Sequence, residues 1–165
     1  MTEIFTLRDE IAVRAPLQRC FLLSTSVEIV QKELGMRPVS GRMSGLVLGD
    51  DTVWWKGWQL GLPQYHQSVI SAYEPYCFFQ DTMLKGRFKS FQHDHRFEDG
   101  EDGTVLLRDE LRFSLPFGVA GKMFARLVMA PHIAGLLRRR FCLLKKIAES
   151  EAWRMYLAGS GSTLS

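Results

Sequence analysis

Apolar and polar residues alternate in two stretches of the chain, 88–97 and 104–113, which flank an acidic, glycine-containing segment. Side chains along a β-strand point alternately to the two faces of its sheet, so this pattern predicts two paired strands joined by a turn at 99–103. One face of the second strand is apolar except for a single carboxylate, and we expect that face to point to the core. The residues on the expected inner face are Phe91, His93, His95 and Phe97 on the first strand, and Val105, Leu107, Asp109, Leu111 and Phe113 on the second.

A register in which Phe97 lies opposite Val105 gives compatible neighbours on both faces of this hairpin. It places imidazoles beside a carboxylate on the inner face, and it pairs opposite charges on the outer face. The inner surface is either a pocket wall or an internally paired core, and the pattern is compatible with both. The predicted pairs are His93 with Asp109, Phe91 with Leu111, and Asp94 with Arg108.

The first half of the chain predicts one strand, two short helices and then several strands. Residues 3–13 have strand alternation, and the segments that follow are suited to begin helices at 17–23 and 27–34. Gly35 would end the second helix. Glycines and prolines divide the next segment into strands at about 39–48, 52–60, 65–74 and 77–84, with a tight hairpin at 49–51 and bulges or bends at Gly57 and Gly61.

The C-terminal segment predicts helical structure. Residues 119–129 have helical spacing, Pro131 interrupts it, and a long helix follows over 132–157. The predicted fold class is therefore α+β, with a curved, mostly antiparallel seven-stranded sheet wrapped around the long C-terminal helix. Residues 1–158 would form a single domain, and 159–165 a flexible tail. The apolar stripe of the long helix comprises Ile133, Leu137, Phe141, Leu144, Ala148 and Met155, with Arg140 inside the same arc.

Composition and charge exclude several classes of protein. The chain has 165 residues, of which 46% are hydrophobic and 24% charged, as in an ordinary globular domain. A net charge of +3 is too small to indicate nucleic-acid binding, and no apolar run approaches the ~20 residues of a membrane-spanning helix. The first residues lack the features of a signal peptide. Cys20, Cys77 and Cys142 are widely spaced and are expected to be reduced, buried thiols, which favours a cytoplasmic protein.

The order of the predicted elements resembles that of the START-like (helix-grip, SRPBCC) superfamily, which includes polyketide cyclase/dehydrase-like and lipid-binding proteins. Several segments are similar to its bacterial ligand-binding branch, whereas 31–43 departs from the pattern. The resemblance covers nearly the whole chain and implies a deep apolar cavity between sheet and helix that holds a small hydrophobic or lipid-like molecule. It implies no single chemistry, because one fold hosts many functions. The similar segments are 11–16, Gly61, 69–75, 79–81, 86–88, 93–97, 109–111, 115–118 and the arginine of the last helix.

His93, His95 and Asp109 are the sharpest candidates for chemistry. An imidazole beside a buried carboxylate is an oriented base, suited to proton abstraction or dehydration, but the same pair also occurs as a structural hydrogen bond inside a β-core. Two histidines separated by one residue can also ligate zinc. No local spacing fixes a third ligand among Asp109, Asp81 and His66, and we expect no metal.

Arg140 can bind a carboxylate or carbonyl of a ligand through its planar guanidinium. It can equally pair with Asp81 or Asp109 and tie the long helix to the sheet. The other basic residues of 138–146 spread around the helix and are expected to be solvated. The segment 119–129 is either a lid over the cavity or the packed first half of the helix.

The sequence thus predicts a START-like domain that binds a small, largely hydrophobic molecule as a carrier or sensor, with no required catalysis and no cofactor. The alternative is a cyclase, dehydratase or isomerase of the same fold, in which His93 is the base and Asp109 orients it. An interaction module that uses the basic helix ranks third. We expect no nucleic-acid partner and no integral membrane association, and a homodimer stays open. The predicted ligand contacts are Trp55, Phe79, Asp81, Phe91, His93, His95, Asp109, Leu111, Leu137, Arg140 and Leu144.

Overall fold

The computed structural model describes residues 2–159. Its strands are β1 (Phe5–Val13), β2 (Met36–Gly41), β3 (Thr52–Gln59), β4 (Leu62–Glu74), β5 (Phe78–Lys85), β6 (Ser90–Asp99) and β7 (Val105–Ser114). Its helices are α1 (Leu17–Ser24), α2 (Val27–Leu34), α3 (Gly118–Phe124), α4 (Ala130–Ala148) and α5 (Trp153–Leu157), with a π-helical turn at Ala125–Met129 between α3 and α4. Within this range the strands form one antiparallel sheet in the order β1-β7-β6-β5-β4-β3-β2.

The predicted α+β architecture is confirmed. Two short helices follow β1, the sheet is open and curved, and a long C-terminal helical segment runs from Gly118 to Ala148. The inner face of the sheet and the apolar stripe of α4 provide most of the buried apolar side chains. The predicted tail beyond 159 lies outside the described residues.

The boundaries of α2 follow from its end residues. The hydroxyl oxygen of Ser26 accepts a hydrogen bond from the backbone N–H of Ile29 and so caps the N-terminus. Gly35 ends the helix in the left-handed conformation, with φ of 63°, and its N–H donates to the carbonyl of Gln31. This helix carries Glu33, which is buried, toward the interior of the protein.

The predicted register of the β6–β7 hairpin is wrong by two residues. Phe97 lies opposite Leu107 and His95 opposite Asp109, so that His93 lies opposite Leu111. The cause is the turn. It spans 100–104 instead of the predicted 99–103, and the Thr104 hydroxyl closes it by donating to the carbonyl of residue 101 at 2.6 Å, so strand pairing continues to the end of β6. An even shift leaves every side chain on its predicted face.

The outer face of this hairpin also differs from the prediction. Asp94 lies opposite Glu110, and Arg96 opposite Arg108, whereas the predicted register pairs Asp94 with Arg108. Like charges opposite one another are unfavourable. Arg112 offsets the acidic pair, because its guanidinium lies 2.9 Å from Asp94 and 3.3 Å from Glu110.

The edge of the sheet before β3 also differs from the prediction. The expected strand 39–48 is instead β2, which ends at residue 41, and a long loop, not a tight hairpin, connects it to β3. Gly57 is not at a bulge. It pairs with Met36 on the neighbouring strand, and a Cβ atom at position 57 would come within 2.9 Å of the Met36 Cα. Gly61 forms a two-residue turn with Leu60, both with positive φ, as tight β-hairpins require.

The helical segment at the C-terminus has different limits from those predicted. Pro131 does not interrupt it, because a π-helical turn precedes α4 and the proline lies in the first turn of α4, where no backbone N–H donor is needed. The long helix ends at Ala148 rather than at 157. The Ser150 hydroxyl donates to the carbonyl of Ile147 and accepts from the backbone N–H of residue 152, and these hydrogen bonds compete with those that would continue the helix. Met155, predicted in the buried stripe, is exposed.

Two of the three cysteines are not buried. Cys20 is buried, whereas Cys77 and Cys142 are exposed, so the expectation of three buried thiols is wrong. All three are free thiols. Among residues 2–159, no helix has both the length and the apolar character to span a bilayer.

Candidate functional site

A cavity of about 1090 Å³ lies between the inner face of the sheet and helices α2, α3 and α4. Its walls are mainly apolar because alternate residues of β3 to β7 and the stripe of α4 face it. Ligand pockets in proteins typically enclose about 300–1,000 Å³. The cavity is therefore large enough for a drug-sized or larger molecule. Its apolar lining includes Val53, Trp55, Ile70, Leu111, Ile133 and Leu137.

The opening of the cavity is marked by side chains that line it and are also exposed to solvent. On one side these are Leu60 and Tyr65 of the β3–β4 hairpin. On the other side, Phe117 is 84% exposed and Phe124 47% exposed at the two ends of α3. The mouth is thus rimmed by large apolar groups.

At the inner end of the cavity, Arg140 of α4 forms a buried ion cluster. Its Nε lies 3.2 Å from Oδ2 of Asp109 on β7, and its Nη1 lies 3.2 Å from Oε2 of Glu33 on α2. The side chains of all three residues are almost fully buried. One guanidinium therefore connects the long helix to the sheet and to α2.

Asp109 also holds both histidines of β6. His93 Nε2 lies 3.1 Å from its Oδ2, and His95 Nδ1 lies 3.0 Å from its Oδ1. An ionised carboxylate only accepts hydrogen bonds, so both of these ring nitrogens donate to it. The ring of His95 packs against two other rings, with its centroid 4.2 Å from that of Phe79 and 3.8 Å from that of His93. Within residues 2–159, Nδ1 of His93 has no hydrogen-bond partner, and its lone pair is free.

The electrostatics of the cluster favour an ionised Asp109 and a neutral His95. Burial alone would raise the pKa of Asp109, but His95, His93 and Arg140 together hold that pKa well below its usual range. Burial, assisted by the neighbouring His93 and Arg140, lowers the pKa of His95 to about 3. Burial raises the pKa of Glu33 and outweighs the opposing charge of Arg140.

His93, His95 and Asp109 bring three ligand atoms within 4.8 Å of one another, a spacing compatible with a metal ion. The position of Arg140 opposes metal binding. Its guanidinium already lies 3.2 Å from Asp109 Oδ2 and 3.3 Å from His95 Nδ1, so a divalent cation would meet a fixed positive charge. We assign no metal to this cluster.

A second polar region of the wall contains Asp81, with His66 and Ser68 on the neighbouring strand. Oδ1 of Asp81 is fully buried and has no hydrogen-bond partner in the described part of the chain. Burial raises the pKa of Asp81, although His66, His93, the Ser68 hydroxyl and Arg140 all act in the opposite direction.

The sequence predicts that Arg140 pairs with Asp81 or Asp109, and of these two carboxylates it forms an ion pair with Asp109. The remaining predicted ligand contacts largely converge on the cavity. Asp109 and Leu144 do not line it: Asp109 lies behind the histidines, and Leu144 is buried in the adjoining core. The predicted residues that line the cavity are Trp55, Phe79, Asp81, Phe91, His93, His95, Leu111, Leu137 and Arg140.

Sequence reasoning missed Glu33. The helical face identified on α2 is Val27, Val30 and Leu34, and on a wheel of 3.6 residues per turn Glu33 lies about 60° outside that face, beside Val30. The apolar pattern of α2 therefore does not predict a buried Glu33, whereas the stripe of α4 does include Arg140. Its partner lies 107 residues away in sequence, so the pairing itself had no local signature.

Comparison with known proteins gives matches in structure but not in sequence. No family model matches the chain, and no curated protein matches it significantly. TTHA0849 from Thermus thermophilus superposes with a TM-score of 0.65 over 84% of this chain and 96% of its own, at 16% identity. The ginseng major latex-like protein 151 from Panax ginseng gives 0.65 over 89% and 99%, at 10% identity. Norcoclaurine synthase from Thalictrum flavum, in complex with dopamine and hydroxybenzaldehyde, gives 0.66 over 88% and 87%, at 9% identity.

The chain has the START-like, helix-grip fold. The likeness covers 84–89% of the chain in these three comparisons. At these identities it establishes the START-like fold alone. The function has to be argued from the cavity.

Proposed function

We propose that the protein binds a small, largely hydrophobic molecule in the cavity between the sheet and α4, as a carrier or sensor without required catalysis. The observation that carries the proposal is the cavity itself, about 1090 Å³ in volume with mainly apolar walls. Tight packing is the norm in protein interiors, so a void of this size is not a by-product of folding. Transfer of an apolar ligand from water into such a space is favourable.

The rim and the fold give further support. Exposed apolar side chains at the mouth, such as Phe117 and Tyr65, provide a surface along which a hydrophobic molecule can enter. A structural neighbour, norcoclaurine synthase, holds dopamine and hydroxybenzaldehyde, which supports the capacity of this fold for small aromatic molecules. Under this proposal the segment 119–129 acts as a lid over the mouth.

The test is a titration with N-phenyl-1-naphthylamine, an uncharged dye whose fluorescence rises in apolar surroundings. We expect saturable binding to the wild type, and loss of binding in Leu137→Trp, in which an indole extends from α4 into the cavity. The matched control is Ala134→Trp, on the exposed side of the same helix, which should bind the dye as the wild type does. Dye binding that survives in Leu137→Trp, or that fails in the wild type, would contradict the proposal.

The alternative function is a cyclase, dehydratase or isomerase that uses the same cavity. The observation that favours it is the orientation of His93, whose Nε2 is fixed by Asp109 while Nδ1 is free to accept a proton. Asp109 would orient the base and stabilise its protonated form. The ion pairs of Arg140 with Glu33 and Asp109 argue against this alternative, because buried polar groups that satisfy one another are typical of a structural cluster.

Proton abstraction can be tested with 2-tetralone, a hydrophobic ketone, by following exchange of its α-protons in D₂O by NMR. An enzyme should accelerate the exchange over buffer, and His93→Gln should abolish it while retaining dye binding. If the wild type leaves the exchange rate of buffer unchanged, the enzymatic alternative is refuted for this class of substrate.

The remaining parts of the proposal do not depend on the cavity. We infer a cytoplasmic protein of bacterial type whose ligand is lipid-like, with no cofactor, no nucleic-acid partner and no integral membrane association. A homodimer stays open, and sedimentation of the purified chain decides it.

A further inference from the structure

We propose that the cavity selects a hydrophobic amine, whose ammonium group pairs with Asp81. The inference rests on the proposed function, because it names the class of ligand for the same cavity. It follows from the arrangement of charge along the cavity wall rather than from the apolar lining.

The first step is that Asp81 lacks a charged partner. Its carboxylate lines the cavity, and it forms no ion pair with any residue between 2 and 159. The Ser68 hydroxyl donates a hydrogen bond to the Asp81 carboxylate. The buried Oδ1 of Asp81, however, accepts no hydrogen bond from any residue between 2 and 159. Buried polar groups in native proteins are nearly always hydrogen-bonded, so an open carboxylate oxygen in a cavity wall indicates a missing donor. The torsion that orients a carboxylate is soft, which allows either oxygen to meet that donor.

The second step is the balance of charge around the cavity. Glu33 and Asp109 share a single buried cation, Arg140, which donates to both of them and forms no such bond with Asp81 among the described residues. In the described part of the chain, the carboxyl groups of Glu33, Asp81 and Asp109 thus interact with one buried guanidinium, that of Arg140.

The neighbouring imidazoles do not supply the missing donor. His95 is neutral above about pH 3 because burial lowers its pKa, and burial also lowers the pKa of His66, the imidazole that acts most strongly on Asp81. His93 lies opposite Asp81 in the pairing of β5 with β6, but its Nε2 proton is donated to Asp109. Asp81 therefore has imidazole neighbours without a donor directed to its open oxygen.

The third step is the choice of donor. A buried carboxylate is costly unless it is paired with a cation and hydrogen-bonded. A hydroxyl would supply the hydrogen bond but not the charge. A primary ammonium supplies both, and the apolar walls on either side, including Ile70 and Phe91, would bury its hydrocarbon portion. An anionic head group in the same place would be repelled.

The experiment compares decylamine, 1-decanol and decanoate, which share one hydrocarbon chain, as competitors of N-phenyl-1-naphthylamine at pH 7. Hydrogen bonds that involve charged groups are worth enough to change affinity by about 10- to 100-fold. We expect decylamine to bind the wild type more tightly than 1-decanol by about this factor, and decanoate to bind most weakly. In Asp81→Asn, which keeps the shape and removes the charge, the preference for the amine over the alcohol should fall below about threefold.

The matched control is Asp50→Asn, an exposed carboxylate outside the cavity, which should keep the full preference. A thermal unfolding curve of Asp81→Asn shows whether the variant is folded. We expect it to be folded, because the substitution removes a buried charge. Equal binding of amine and alcohol by the wild type, or an unchanged preference in Asp81→Asn, would overturn this inference while dye binding still supported the proposed function. Failure of the dye to bind the wild type would refute the proposed function itself.

Discussion

Replacement of Arg140 by alanine tests the structural core of the site. The wild-type side chain is buried, with Arg140 2% exposed, and its guanidinium lies 3.2 Å from carboxylate oxygens of both Asp109 and Glu33. Its removal leaves two buried carboxylates without a cation, and loss of one partner from a buried ion pair costs about 3–5 kcal/mol. In a domain of this size each 1 kcal/mol changes the melting temperature by roughly 2–4 °C, so we expect a decrease of about 6–20 °C.

The loss should depend on pH in a defined direction. Without the cation, the pKa of Glu33, already raised by burial, rises further above its unfolded value. The native state then binds a proton that the unfolded state does not, so the destabilisation is largest above that pKa and shrinks as the pH falls. Urea unfolding, followed by tryptophan fluorescence at pH 8 and pH 5, should therefore show a smaller difference between Arg140→Ala and wild type at pH 5.

Arg139→Ala is the matched control, since Arg139 is the exposed neighbour on the same helix. Surface substitutions usually change stability by less than about 0.5 kcal/mol, and we expect this one to do so. If Arg140→Ala lost less than about 1 kcal/mol at pH 8, the ion cluster would not be what holds α4 to the sheet.

Two further predictions concern His95 and the glycines. In ¹⁵N NMR spectra of the imidazoles, His95 should stay neutral and protonated on Nδ1 from pH 8 to pH 5, because its pKa is lowered to about 3; titration near pH 6.5 would contradict the assigned tautomer and burial. Gly57→Ala should destabilise the protein by about 1–3 kcal/mol, since its Cβ would lie 2.9 Å from the Met36 Cα. Gly135→Ala, in α4 with open space around it, should instead stabilise by about 0.5–1 kcal/mol, and urea unfolding of the pair checks both signs.

The inner face of the hairpin could be predicted from sequence because alternation depends only on parity. His93, His95 and Asp109 share a face in any register that differs by two residues, and the observed register differs by two. Which residue faces which depended on the position of the turn, which the Thr104 hydroxyl closes one residue later in the chain than predicted. As a result Asp109 bonds both histidines, not one.

The rest of the site required the tertiary structure. The inward position of Arg140 could be read from its place in the helical stripe, but its second partner, Glu33, lies on a helix far away in sequence. The volume of the cavity depends on how strongly the sheet curves, which no local pattern encodes. The limits of α4 could not be predicted from the apolar periodicity. Its start is set by a π-helical turn before Pro131, and its end by the side chain of Ser150.

The position of a bound molecule shows whether the cavity is the ligand site. With N-phenyl-1-naphthylamine bound to protein that carries labelled methyl groups, intermolecular nuclear Overhauser effects report which side chains touch the dye. We expect contacts to methyls of Leu137, Val53 and Ile70, which line the cavity. Contacts confined to exposed methyls of the α3 region, such as those of Val119 and Leu127, would show that the dye stays outside and would refute binding in the cavity.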